Sequence, residues 1–173
     1  MILYQQNKEL ITPYGSVAEK ISFAEKFAVK GDVIKAIIAY LLMMDENPFS
    51  LSLERSEGNG TAESFAKKDI QELYDIFLED HKEFSNYTPI RNNLTGEEKR
   101  IGDMISAFAG ELEKAEDFGA FLSVVKNFYK TYGVGSFGIH KAFYMQDDGS
   151  LTAVSHIKDA RFENIYGYES QKQ

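Results

Sequence analysis

The residues able to carry chemistry in this chain are few, and their spacing limits what chemistry that is. Gly133-Val-Gly-Ser-Phe-Gly138 spells Gly-x-Gly-x-x-Gly. In a dinucleotide site this motif follows a strand and opens a helix, so that phosphate meets free N–H groups at the helix N-terminus. Here the apolar periodicity puts it after a helix and before a strand, and no Lys-Ser/Thr of a P-loop follows it. A kinase-type glycine loop needs a strand on each side. The order favours a helix cap plus flexible turn over phosphate binding.

His81, His140 and His156 are scattered and have no metal-ligand spacing such as His-x-x-x-His. His81, with acidic neighbours on a predicted helix, reads as a solvated polar residue. His140 and His156 lie on or beside a predicted hairpin, with no nearby Ser or Asp that builds a triad. The adjacent carboxylates Asp45-Glu46, Glu97-Glu98 and Glu116-Asp117 point in different directions on a helix and read as caps or solvated groups. Asp147-Asp148-Gly149 has turn composition and lacks the spacing of a calcium loop. Cysteine is absent, which excludes disulfides, thiolate metal sites and a cysteine nucleophile. The segment is expected to be non-catalytic, with no metal site and no cofactor of its own.

The elements that carry these residues are helical for most of the chain. Ser16 and Glu19 have capping-box spacing, and Val17, Ile21, Ala24, Phe27 and Ala28 mark an inward stripe closed by Lys30-Gly31. Asp32 caps the run from Val33 to Met44, in which Lys35 is the sole polar interruption. A helix apolar all round is buried in protein or in a membrane, and this one is too short to span a bilayer, which takes about 20 residues. It is therefore predicted to be the central core helix, ended by Asn47-Pro48.

Residues 49–60 read as a loop. Phe65, Ala66, Ile70, Leu73, Tyr74, Phe77, Leu78 and Phe84 predict a third helix running to about Ser85. Thr95 and Glu98 give a second capping box, for a helix marked by Ile101, Met104, Ile105, Phe108 and Leu112. A fifth helix opens at Glu116-Asp117, with Phe118, Phe121, Leu122, Val125, Phe128, Tyr129 and Tyr132 facing inward, and ends at Gly133. The period then changes to alternation: Ile139 to Met145 and Ser150 to Val154 read as a hairpin about Gln146-Asp-Asp-Gly149.

The expected architecture is mainly α: about five helices in a bundle-like domain (1–133), a glycine turn and β-hairpin (134–160), and a linker (161–173). The length suits one domain with an appendage. The formal charge of -8 argues against nucleic acid as a partner, because neutralising phosphate takes clustered Lys and Arg. Met1 to Lys8 lacks the basic region and apolar core of a signal peptide, so no membrane partner and a cytoplasmic location are expected.

The last thirteen residues, Arg161 to Gln173, resemble the start of something. Phe162 and Ile165 are apolar anchors, Gly167 breaks the chain, and Glu169 to Gln173 looks like one helical turn, which is marginal without a partner. Either this tail docks on the preceding domain or the chain stops at a boundary. Gly133-Val-Gly135, Ala142-Phe-Tyr144 and Gly167-Tyr-Glu-Ser-Gln171, with Asp45 to Ser50, resemble a prokaryotic family of AAA+-type ATPases. The resemblance is concentrated in the last forty or so residues, ahead of where the Walker A loop would come.

It implies that the chain is the helical N-terminal domain of an ATP-binding protein, with residues 161–173 the start of its ATPase domain, and that it recognises another protein or positions the ATPase module. It also implies that Ile165, Tyr166 and Gly167 lie beside the adenine ring in the full-length protein, which would hold ATP and Mg. The C-terminal ATPase domain of the same chain would then be a partner. The segment alone carries no Walker motifs and should not hydrolyse ATP. The alternative is a free-standing helical interaction or adaptor domain with no ATPase. A small enzyme assembled from residues far apart in sequence is the third.

Overall fold

A computed structural model describes residue 11 and residues 16–55, 60–91, 94 and 96–154. Among these residues the protein is mainly helical: α1 (Val17–Phe27), α2 (Val33–Met44), α3 (Pro48–Glu54), α4 (Gly60–Leu78), α5 (Gly96–Glu113), α6 (Phe118–Tyr132) and α7 (Gly135–Ile139). Two short strands, β1 (Phe143–Met145) and β2 (Leu151–Ala153), follow as an antiparallel hairpin. All five predicted helices are present, and α3 and α7 are additional. None of the described helices is long and apolar enough to cross a membrane.

The core is built around α2. Nine of its residues are buried, and α1, α4, α5, α6 and α7 all pack on it. Asp32 caps it as the sequence implies, with Oδ1 accepting from Lys35 N at 3.0 Å. At its other end Asn47, Asp45 and Ser50 form a small polar knot. Asn47 Oδ1 accepts from Ser50 N, and Ser50 Oγ accepts from Asn47 N. This capping box, with Pro48 in the first turn, starts α3 where a loop was expected. Asn-Pro therefore ends one helix and opens the next, burying Phe49 and Leu53.

Helix α1 starts at Ser16, whose Oγ accepts from Glu19 N at 3.3 Å. Its buried side is Lys20, Ala24 and Phe27, whereas Val17 and Ile21, predicted to face inward, are exposed. The helix also ends earlier than Lys30-Gly31. Ala28 takes the left-handed conformation at φ 49°, and Val29 N reaches back to Ala24 O at 2.9 Å. Burial of Val29 supplies the hydrophobic contact that normally accompanies such a C-terminal motif. Gly31, at φ 99°, instead pairs with Tyr87 through two backbone hydrogen bonds.

Helix α4 stops at Leu78 and not near Ser85. The chain turns back so that Phe84 O accepts from Val33 N at 3.1 Å and His81 sits under Asp32. Glu25 ties down the far side of this strap, accepting from Tyr87 Oη and from the backbone N–H groups of Ile90 and Arg91. Helix α5 begins at Gly96; Thr95, its expected cap, lies outside the described residues. Asp117 caps α6 through Ala120 N at 2.7 Å. Tyr132, predicted to face inward, is 57% exposed.

Strand pairing covers less than predicted, because residues 135–139 form α7 and bury Ile139. The register pairs Phe143 with Ala153 and Met145 with Leu151, about a turn at residues 146–149 that matches the predicted one.

Helices α1 and α5 cross at Gly102, where an added Cβ would drive into the carbonyl oxygen of Phe27. Gly110, on the same helix, faces open space. Gly102→Ala should therefore lower stability by about 2–3 kcal/mol, by forcing two backbones apart. Gly110→Ala should raise it by up to about 1 kcal/mol, by reducing unfolded-state freedom. Denaturant melts of the two variants against the parent check both signs.

Candidate functional site

The glycine motif is shaped by carboxylates. Gly133 takes φ 80° as the cap of α6, and Gly135 takes φ 67° at the start of α7. A Cβ on Gly133 would lie 3.2 Å from Glu54 Oε1, and one on Gly135 would overlap the Glu46 carboxylate. Gly138 is pressed against the backbone of Gly133. The three glycines are thus accounted for by backbone conformation and close approach. Two acidic side chains beside the turn disfavour an anion there, and α7, at five residues, offers little helix dipole.

The histidines depart from their solvated reading. His81 is buried, and its Nδ1 lies 3.3 Å from Asp32 Oδ2, so the carboxylate that caps α2 also holds the imidazole. His140 follows α7 and places Nδ1 3.0 Å from Glu97 Oε1. Glu97, in the first turn of α5, is buried and also accepts from Arg100 Nε and Nη2 at 3.0 and 2.5 Å. The guanidinium is the main reason its carboxyl is held below the usual range, with a smaller contribution from His140. His156 lies outside the described residues.

A carboxylate on Nδ1 is how a general base is oriented, but among the described residues no hydroxyl is hydrogen-bonded to the His140 ring. No group of three or more His, Asp or Glu among the described residues is placed to hold a metal ion. The other acidic pairs are structural. Asp45 is buried against Asn47, Asp117 caps α6, and Asp148 accepts from Ser150 N in the hairpin turn. Burial pushes the Tyr129 phenol up, and its hydroxyl donates to Leu42 O at 2.9 Å. These groups hold the fold together.

A groove of about 850 Å³ runs along the antiparallel pair α5 and α6. Its floor is the stacked pair Phe108 and Phe128, with ring centroids 4.2 Å apart, flanked by Met104 and Val124. Ser106, Ala107, Gly110 and Ser123 keep the walls low. Tyr132 leans on Phe128 at one end, and the ion pair Glu111–Lys114 lies at the other. The sequence marked Met104, Phe108, Phe128 and Tyr132 as inward residues of two helices, but not the gap between those helices.

Ile165, Tyr166 and Gly167, the adenine-side residues implied by the resemblance, lie outside the described residues. No protein-family model, curated protein or solved structure matches the chain.

Because the carboxyl of Glu97 is depressed, its contribution to stability is fully present above the ordinary carboxylate range and is lost as pH falls through its own lower value. Glu97→Gln should cost about 1–2 kcal/mol at neutral pH, less the part screened at partly exposed Arg100. It should also flatten the acid limb of the stability profile. Denaturant melts at stepped pH from neutral into the acid range check this.

Proposed function

We propose that the chain is a non-catalytic helical recognition domain that seats an amphipathic helix of a partner protein in the α5/α6 groove. The observation that carries this reading is the groove itself. An apolar trough between antiparallel helices, with an aromatic floor and small residues on its walls, fits the apolar face of a third helix. The chain's formal charge of -8 favours a partner helix flanked by Lys and Arg.

The resemblance of residues 160–172 supports attaching this domain to an AAA+-type ATP-binding protein. It would there recruit a partner or position the ATPase module, with ATP and Mg held by that module. The second reading is a free-standing adaptor without an ATPase. It is favoured by a buried core that draws on every described helix.

A lysine-flanked synthetic peptide with leucines at helical i, i+3, i+4 and i+7 spacing is the probe for the groove. Its binding should move the amide resonances of Ala107, Gly110, Val124 and Asn127. Ala107→Arg, at an exposed position, should weaken it at least about tenfold without lowering Tm. Binding that maps elsewhere, or that Ala107→Arg leaves unchanged, counts against the groove. The two parent proteins are separated by the reading frame beyond Gln173: a Gly-x-x-x-x-Gly-Lys-Ser/Thr loop supports the ATPase, and a stop codon there selects the adaptor.

A further inference from the structure

Val124, Asn127, Phe128 and Tyr132 line the α5/α6 groove and share one face of α6 at helical spacing. Asn127 therefore sets a side-chain amide inside an otherwise apolar stripe. The residue is exposed, and its amide has no hydrogen-bond partner among the described residues. The other polar groups along the groove are engaged or can satisfy themselves. Ser123 Oγ donates to Gly119 O at 2.8 Å, and Lys114 donates to Glu111. A serine hydroxyl such as that of Ser106 can turn to a carbonyl one turn back in its own helix. An asparagine amide carries two donors and a carbonyl acceptor, and those of Asn127 line the space that a third helix would fill.

We propose that Asn127 is the specificity-determining residue of this groove, selecting an amphipathic helix that carries one asparagine or glutamine amide in line with its apolar anchors. The inference rests on the groove being a seat for a partner helix. Covering the groove takes Asn127 out of water. A buried amide left unpaired costs more than a formed hydrogen bond returns. A leucine set against Asn127 is therefore penalised, whereas an amide supplies both a donor and an acceptor. Parallel coiled coils fix register with a single interfacial asparagine for the same reason.

The opposite wall lets a partner come close enough for short amides to meet. A Cβ added at Gly110 would find no atom within 4 Å, so α5 offers bare backbone to an approaching helix there. Charge does not set the register. The net charge of -8 draws a basic segment from a distance. Along α5, however, Lys99 pairs with Asp103 and Lys114 with Glu111, so these charges offset one another and favour no one stopping point for the helix.

The test uses the full chain and the lysine-flanked leucine peptide, together with peptides in which each leucine in turn is replaced by asparagine. Dissociation constants are measured by titration calorimetry for the parent, Asn127→Leu and Asn127→Ala. At one peptide position the ratio of asparagine-peptide to leucine-peptide affinity should fall about three- to tenfold in both variants, the size of one net hydrogen bond. At the other positions the ratio should be unchanged. Asn127→Leu also adds apolar surface, which tightens all peptides alike and leaves the ratio untouched; Asn127→Ala removes the amide without that addition. Ratios that are equal in the parent and both variants at every position overturn the role of Asn127. Ala107→Arg separates the two levels: peptide binding that it abolishes, with flat ratios, sinks the amide and leaves the groove. An absence of peptide binding, or binding that Ala107→Arg leaves unchanged, removes the groove and this inference with it.

Discussion

The structure depends on one constraint: α2 is apolar on every side. A helix with nine buried residues cannot rest on one neighbour; it must be jacketed. Each buried Ile, Leu or Met side chain contributes about 1.5–3 kcal/mol relative to exposure, so the arrangement that surrounds α2 outcompetes any that leaves a face open. Helices α1, α4, α5, α6 and α7 supply that jacket, and α3 fills the gap between α4 and α6. Apart from Lys35 and the Tyr40 hydroxyl, the polar groups lie at the ends of α2. Asp32 lies at one end, Asp45 and Asn47 at the other, and the Tyr129 hydroxyl takes up the Leu42 carbonyl.

The same jacket explains where the polar groups inside the fold went. Lys20 is drawn under the strap after α4, with its ammonium 5.2 Å above the Phe84 ring and no hydrogen-bond partner among the described residues. Its amine is held below the usual lysine range by desolvation, with Glu19 and Glu83 acting the other way. His81 is covered by the same strap, and its Nε2 has no hydrogen-bond partner among the described residues. Both costs are local to one turn, and that turn is what seats Phe84 and Tyr87 against α1 and α2. The burial of a large apolar side chain there outweighs the unsatisfied polar atoms beside it.

Much of this was legible in the sequence. Asp32, Ser16 and Asp117 cap helices as their spacing implies, the unbroken run from Val33 to Met44 is the centre, and the turn at 146–149 lies where its composition puts it. What was not legible depends on partners distant in the chain. Helical periodicity identifies a stripe but cannot choose between adjacent ridges. The ridge of α1 that is buried was settled by the crossing of Phe27 on Gly102. His81 looked solvated because its sequence neighbours are acidic, yet the turn after Leu78 places it beside Asp32, far away in sequence. Glu97 looked like one of a solvated pair, and its burial follows from Arg100 and a histidine more than forty residues on. The groove escaped because a gap between two helices has no residue pattern of its own.

The brevity of the hairpin bears on how copies of this chain meet each other. Among the described residues both of its strands are edges, and an exposed edge is a template for unwanted pairing. Strands of three residues present too few free N–H and C=O groups to hold a second strand in register. Asp147 and Asp148 place like charges at the tip, so two hairpins approaching end to end repel. Exposed Tyr144, Met145 and Leu151 therefore stand on strands too short to template a growing sheet.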